Sequence, residues 1–377
     1  DSQLQDPEYS KKPLKLTIDL SIQAAVEHVL EGGMRLLNAK GAAAILMEVE
    51  TGRIISLASL PDFDPNHRPK LPSRGSAAES PLFNKAIQGV YELGSTFKIF
   101  TVAQALELGL VDPKTKINTK GPIRIGGHKI NDYRSNGPEL PVWEVITESS
   151  NLGTARIAKM IGPEKQREFL SSLGFSKPTT IEMIEANGGK PLLPKRWNEL
   201  ETMTISYGHG LSATPLHLAT GYATLANGGR LVNPTLLQEV KPVLGPRVIS
   251  KEVAENSLAM LRGVVTGGTA SLADVDGYFV GGKTGTADKP SSQGGYDKEK
   301  NITNFASIFP IDEPKYVLVV TLDEAQDTSG PEPKRTAGWT AVPVSAEIIA
   351  RVAPLLGLRP KFDNHSTIGI TLSNWQE

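Results

Sequence analysis

From residue 13 onward the chain changes its apolar rhythm several times. LKLTI at 14–18 reads as a short strand, and Asp19 opens a helical stretch to about Asn38, with Ile22, Val26, Val29 and Leu30 on one side. AAAILMEVETGRIISLASLP follows, two apolar runs joined at Thr51 and Gly52, bounded by Gly41 and ended by Pro61, which predicts a hairpin. Between 61 and 81 periodicity stops in a segment rich in Pro, Ser, Asn and Asp, and a long surface loop is expected.

The middle of the chain keeps helical periodicity at 96–108, 141–159, 163–173, 213–226 and 250–264, with Gly-Pro turns at 109–113 and 187–194. Strand patterns return in YFVGGKTGTA at 278–287, ITNFASIFP at 302–310 and KYVLVVTLD at 315–323, the last two separated by the short turn IDEP. TAVPVSAEIIARVAPLL at 340–356 then reads as a helix beside that at 20–38. The expected fold class is α/β: a central antiparallel sheet, with first strands from 14–60 and last strands from 278–323, covered by terminal helices and joined to a large helical subdomain. The sheet region spans about 13–95 and 265–357, the helical subdomain about 96–264. Residues 358–377 read as a C-terminal extension with one short strand, TIGITL. Sheet and helical regions meet near residues 95 and 283, where a pocket is expected.

Composition narrows the chemistry. A chain of 377 residues, 39% apolar and 21% charged, is ordinary globular protein with a large core. A net charge of -1 offers no basic field, so no nucleic-acid partner is expected. With no cysteine there is no disulfide, thiolate nucleophile or Cys-ligated zinc. Six scattered histidines contain no HExxH, and the nearest pair, His209 and His217, gives no reason to expect a metal or cofactor. No apolar run reaches membrane-spanning length, and the polar opening DSQLQDPEYSKKP reads as a cut end, so any targeting or anchoring segment is expected to lie before residue 1.

Three elements carry candidate chemistry. In GSTFK, residues 94–98, Ser95 is expected in the first turn of a helix, where free N–H groups favour negative charge, with Lys98 one turn on as a base for its hydroxyl. A lysine serves as base only when burial or a neighbouring cation lowers its pKa, which a second lysine would do. The alternative for Ser95 is a helix cap beside a solvated lysine. In SSN, residues 149–151, Ser149 can relay a proton and Asn151 can hold a peptide amide, or all three polar residues simply cap the next helix. In GGKTGTA, strand alternation puts Thr284 and Thr286 on one face for a substrate carboxylate, while Lys283 supplies positive charge. Gly285 lets a ligand approach the strand edge, and the backbone N–H groups of Ser95 and Thr286 are the expected oxyanion hole. The lysine lacks the glycine spacing of a phosphate loop.

Taken together, SxxK, SSN and KTG in this order form the set used by serine β-lactamases and penicillin-binding proteins. With YELGSTFK at 91–98, GHGLSATPLHLATGYATLANGG at 208–229 and AGWTAVPV at 337–344, residues 12–357 resemble the transpeptidase domain of a class B penicillin-binding protein, most like the division-specific penicillin-binding protein 3 type. The resemblance implies the penicillin-binding protein and serine β-lactamase-like fold, a transpeptidase domain at 13–357, and residues 1–12 as the remnant of a removed N-terminal module. It implies a septal D,D-transpeptidase with Ser95 as nucleophile, Lys98 as base, Ser149 and Lys283 in proton traffic, Asn151 on the donor amide, and Thr284 and Thr286 on the terminal carboxylate. Peptidoglycan stem peptides and β-lactams are the implied ligands, and cell-division proteins the implied partners of the missing parts. The implied location is periplasmic, as the catalytic domain of a single-pass inner-membrane protein. Loops 61–81, 288–300 and 324–338 are expected to rim the cleft. Rival readings are a D,D-carboxypeptidase, a serine β-lactamase with Glu182 or Glu185 as water-activating base, and a non-enzymatic penicillin-binding sensor.

Overall fold

The computed structural model describes residues 13–70, 77–239, 241, 244–291, 294–362 and 375. Helix α1, Leu20–Leu36, starts where Asp19 accepts from Ser21 N at 2.9 Å and Ile22 N at 3.1 Å, and it buries Ile22, Val26, Val29 and Leu30. Strands β1 (Gly41–Glu48) and β2 (Ile54–Leu60) form the expected hairpin. β2 alternates buried and half-buried positions, as a strand with one covered face should, whereas β1 is buried almost throughout.

Near the end of the chain, β3 (Gly281–Pro290), β4 (Tyr296–Phe309) and β5 (Tyr316–Asp323) complete a five-stranded antiparallel sheet in the order β2-β1-β5-β4-β3. The two chain ends therefore meet in one sheet, with β1 paired along β5 from Gly41–Asp323 to Glu48–Tyr316. β3, which carries Lys283 to Thr286, is left as an edge. Its inner side is used by β4, with Gly285 opposite Asn304 and Thr286 opposite Thr303. Helix α9, Ala341–Leu355, packs on α1 and over β4 and β5.

Helices fill the middle of the chain: α2 (Lys98–Glu107), α3 (Val142–Thr147), α4 (Asn151–Ile161), α5 (Pro163–Ser172), α6 (Glu199–Ser206), α7 (Pro215–Ala226) and α8 (Lys251–Thr266). α7 lies against β1, β4 and β5, and α8 against β3, so the helical region is joined to the sheet across a broad front. An aromatic knot fixes α2 there. The rings of Phe97, Phe100, Phe175 and Tyr222 stand 4.9 to 5.6 Å apart, and the Tyr222 hydroxyl donates to Thr96 O at 3.0 Å.

Several expectations change. LKLTI makes a single bridge, Leu16 to Leu237, rather than a strand of the main sheet, because Ile54 N at the start of β2 bonds Thr235 O while Thr17 N is taken by Leu236 O. The predicted helix 141–159 is two helices broken at SSN. The segment 288–300 is largely strand, with β3 and β4 continuing past a register shift at Asp297/Asn301. Helix α6 and the short pairs Lys116–Asn118 with Glu139–Pro141 and Ile123–Ile125 with His128–Ile130 had no strong periodic signal. TIGITL, the remnant 1–12 and part of the 61–81 loop lie outside the described residues. Among the described residues no helix is long and apolar enough to cross a membrane.

Candidate active site

Gly94–Phe97 is a 3₁₀ turn and α2 begins at Lys98, so Ser95 sits one turn ahead of the α-helix rather than in it. No side chain caps this turn, and Ser95 is half-exposed. Gly94 adopts φ +58°, and a Cβ there would meet Thr286 N at 2.9 Å and Thr286 O at 2.8 Å. The serine turn is thus pressed against β3. The contact continues at Gly285, where a Cβ would lie 2.2 Å from Leu93 O and 2.9 Å from Thr96 Cγ2. Gly285 is therefore required by protein packing on its face, a reason the ligand-approach argument did not supply.

Lys98 and Lys283 are both fully buried, at 0% exposure, and they converge on one hydroxyl. Lys98 Nζ donates to Ser149 Oγ at 3.0 Å and also to the Ser149 carbonyl; Lys283 Nζ donates to Ser149 Oγ at 2.9 Å. Among the described residues Ser95 Oγ has no hydrogen-bond partner, so the expected Ser95–Lys98 pair is present as neighbours on one turn and not as a formed bond. Burial first, and Lys283 second, push the Lys98 amine well below its ordinary value, with Asp132 opposing. Burial lowers Lys283 to about 7. Amines lowered in this way release and take up protons more readily than ordinary lysines.

The SSN turn resolves into separate tasks. Ser150 caps α4, accepting from Gly153 N at 2.9 Å, and donates to Asp132 Oδ2 at 2.7 Å, while Asp132 Oδ1 accepts from Leu152 N at 2.9 Å. Asn151 Nδ2 donates to Asn131 O at 2.9 Å. Ser149 is left to face the lysines, at φ +60°, a conformation that costs a residue with a Cβ on the order of 1 kcal/mol. Asp132 went unnoticed in the sequence, since NDYRSN has no periodicity and its link to SSN exists only in space.

Thr284 and Thr286 share a face of β3, as alternation requires, and both are engaged. The Thr284 and Thr269 hydroxyls are 2.7 Å apart, and Thr286 Oγ1 accepts from Ala337 N at 3.0 Å. This brings the segment 324–338 to β3. His217 is structural, its ring bonded to Thr214 and to Lys177 O. Glu182 accepts from Thr235 Oγ1 at 2.7 Å and Leu236 N at 2.9 Å, and Glu185 is exposed in the 3₁₀ turn Ile184–Gly188.

A half-exposed serine on a turn packed against an edge strand, with two buried lysines sharing a second serine's hydroxyl, is the arrangement that serine–lysine acyl transfer requires. The family described as penicillin binding protein transpeptidase domain matches residues 42–349, and the chain belongs to it. It is 35% identical over 361 residues to the probable peptidoglycan D,D-transpeptidase FtsI of Caulobacter vibrioides, covering 93% of this chain and 60% of that protein. The chain thus spans less than two thirds of that relative's length. The apo transpeptidase domain of Burkholderia pseudomallei penicillin-binding protein 3 superposes with a TM-score of 0.80 at 32% identity, covering 95% of this chain and 100% of that one. Penicillin-binding protein 3 of Mycobacterium tuberculosis, complexed with aztreonam, gives a TM-score of 0.80 at 27% identity over 92% of this chain and 80% of that one.

Proposed function

We propose that this chain is the catalytic domain of a peptidoglycan D,D-transpeptidase of the septal type, spanning about residues 13–357. The observation that carries the reading is the Ser149 hydroxyl held between the buried amines of Lys98 and Lys283 beside the Ser95 turn. Neutral Lys98 takes the Ser95 proton as Oγ attacks the carbonyl of a D-Ala-D-Ala stem, and the backbone N–H groups of Ser95 and Thr286 receive the oxyanion. The proton passes through Ser149 and Lys283 to the leaving D-Ala nitrogen as the C–N bond breaks. An amine of a second stem then attacks the ester carbon and frees Ser95.

Asn151 orients the donor amide, and Thr286, whose oxygen already accepts from Ala337 N, retains its O–H to donate to the terminal carboxylate along with Thr284. β-Lactams acylate the same serine. The working location is periplasmic, with a single membrane anchor and cell-division partners held by parts of the protein N-terminal to this domain. Glu182 and Glu185, the water-activating candidates of a β-lactamase, are bonded elsewhere or exposed, which favours transfer over rapid hydrolysis.

Labelling with a fluorescent penicillin tests the nucleophile: the wild type is expected to form a lasting covalent adduct and Ser95→Ala none. Undiminished labelling of Ser95→Ala would refute the assignment. Release of D-Ala from a stem analogue, accelerated by an amine, separates transpeptidase from carboxypeptidase and sensor.

A further inference from the structure

Away from the acyl-transfer centre, the segment 114–140 carries a charge that the chain as a whole does not. It holds six basic side chains, Lys114, Lys116, Lys120, Arg124, Lys129 and Arg134, against two carboxylates, in a protein of net charge -1. All six are exposed, and among the described residues none joins an ion pair. Of the two carboxylates, Asp132 is turned inward to Ser150 Oγ and Leu152 N, and Glu139 stands opposite Asn118.

Strand alternation sorts these charges. Exposed and buried positions alternate from Lys116 to Lys120, so both lysines lie on one outer side, with Lys114 just ahead in the preceding turn. In the hairpin Ile123–Ile125 with His128–Ile130, Ile123, Ile125 and Ile130 pack with Leu152, Ala155 and Met203, which leaves Arg124 outside and directly opposite Lys129. Like charges opposed across a strand pair destabilise it, and an anion supplied from outside would relieve the repulsion.

This patch is fastened to the catalytic centre. Arg156 of α4 donates to the carbonyls of Asn118 and Lys120, and Asn151 Nδ2 donates to Asn131 O at 2.9 Å. Lys129 is two residues from Asn131, about 7 Å along an extended chain. An occupant of the patch therefore lies beside the peptide that Asn151 orients. A single carboxylate would meet one of these cationic groups, whereas a polymer with a carboxylate on each repeat meets the lysines and the Arg124–Lys129 pair together.

We propose that the two hairpins form a second attachment point for the peptidoglycan strand, holding carboxylates of neighbouring stems while one stem reacts at Ser95. The proposal rests on the transpeptidase reading of the site.

Exposed charges can be neutralised without disturbing the core, so Arg124→Gln/Lys129→Gln and Lys114→Gln/Lys116→Gln/Lys120→Gln are compared with wild type in two assays. In the first, protein already acylated by penicillin, its cleft filled, is sedimented with insoluble peptidoglycan. Wild type is expected to bind, to lose binding as salt rises from about 0.05 to 0.5 M, and to ignore peptidoglycan whose carboxylates are amidated, while both variants bind about tenfold more weakly. In the second, penicillin labelling and D-Ala release from a short stem analogue stay within about twofold of wild type, whereas KM for a polymeric strand rises about tenfold. Arg124→Lys, which keeps the charge, should match wild type in both.

Variants that bind peptidoglycan as wild type does overturn the proposal and leave the transpeptidase reading intact. So does wild type that binds amidated and native polymer equally, a fall in labelling equal to the fall in strand use, or Arg124→Lys as weak as the double variant. Unchanged peptidoglycan binding with loss of binding to poly-L-glutamate overturns it in favour of an acidic protein segment. Wild type that takes no penicillin label defeats the transpeptidase reading, and this proposal with it.

Discussion

Lys283→Met removes the cation nearest Lys98 and leaves the burial of Lys98 in place. Both amines bond Ser149 Oγ, at 3.0 and 2.9 Å, so their nitrogens stand no more than about 6 Å apart. At an effective dielectric of about 20, two unit charges at that distance repel by about 3 kcal/mol. Lys283 itself titrates near 7, so this repulsion is at full strength in acid and fades as Lys283 loses its proton. The like charge disfavours protonated Lys98, and removing it must raise the Lys98 pKa. Less of the free base is then present at a given acidic pH. The acid limb of the penicillin acylation rate should move to higher pH by one to two units, measured from about pH 4 to 9 as the second-order labelling rate. A limb that stays in place, or moves to lower pH, refutes the electrostatic coupling.

The same substitution should stabilise the fold. The unfolded lysine keeps its proton up to about 10.5 while the folded one loses it near 7, so burying it costs on the order of 5 kcal/mol below pH 7, declining to nothing as pH approaches 10.5. Lys283→Met should therefore melt higher than wild type, most clearly in acid, and an equal melting temperature there counts against the shift. Asp132→Ala leaves Ser150 Oγ and Leu152 N without their acceptor, which should cost about 2 to 4 kcal/mol in denaturant unfolding and slow acylation. Gly285→Ala drives a methyl to 2.2 Å from Leu93 O and should lower the labelling rate by about a hundredfold or more by parting β3 from the serine turn, whereas Gly267→Ala, with open space at its Cβ, should not.

Much of this molecule was legible from local pattern. The stripe Ile22, Val26, Val29, Leu30 and the cap Asp19 specify α1 without reference to anything distant, and the β1–β2 hairpin follows from two apolar runs around Thr51 and Gly52. Short strands such as Ile123–Ile125 were not, because three residues hold too few periods to stand out, and the break at SSN within the helical stretch 141–159 left no periodic mark. LKLTI has strand character, yet its partner is chosen by which edge is free, a property of the assembled sheet.

The site divides in the same way. Sequence alone determined the residue types and their order: Ser95 and Lys98 one turn apart, SSN, and Lys283 to Thr286 on a strand. Local spacing suggested that Lys98 would hold Ser95. Tertiary structure instead placed the Lys98 amine on Ser149, because α2, the SSN turn and β3 converge there and exclude water. That burial, with Lys283 brought alongside, is what lowers the Lys98 pKa, since desolvation and charge repulsion depend on distances through space. The roles of Asp132 beneath SSN and of Gly285 against Leu93 likewise exist only once segments far apart in the chain are packed together.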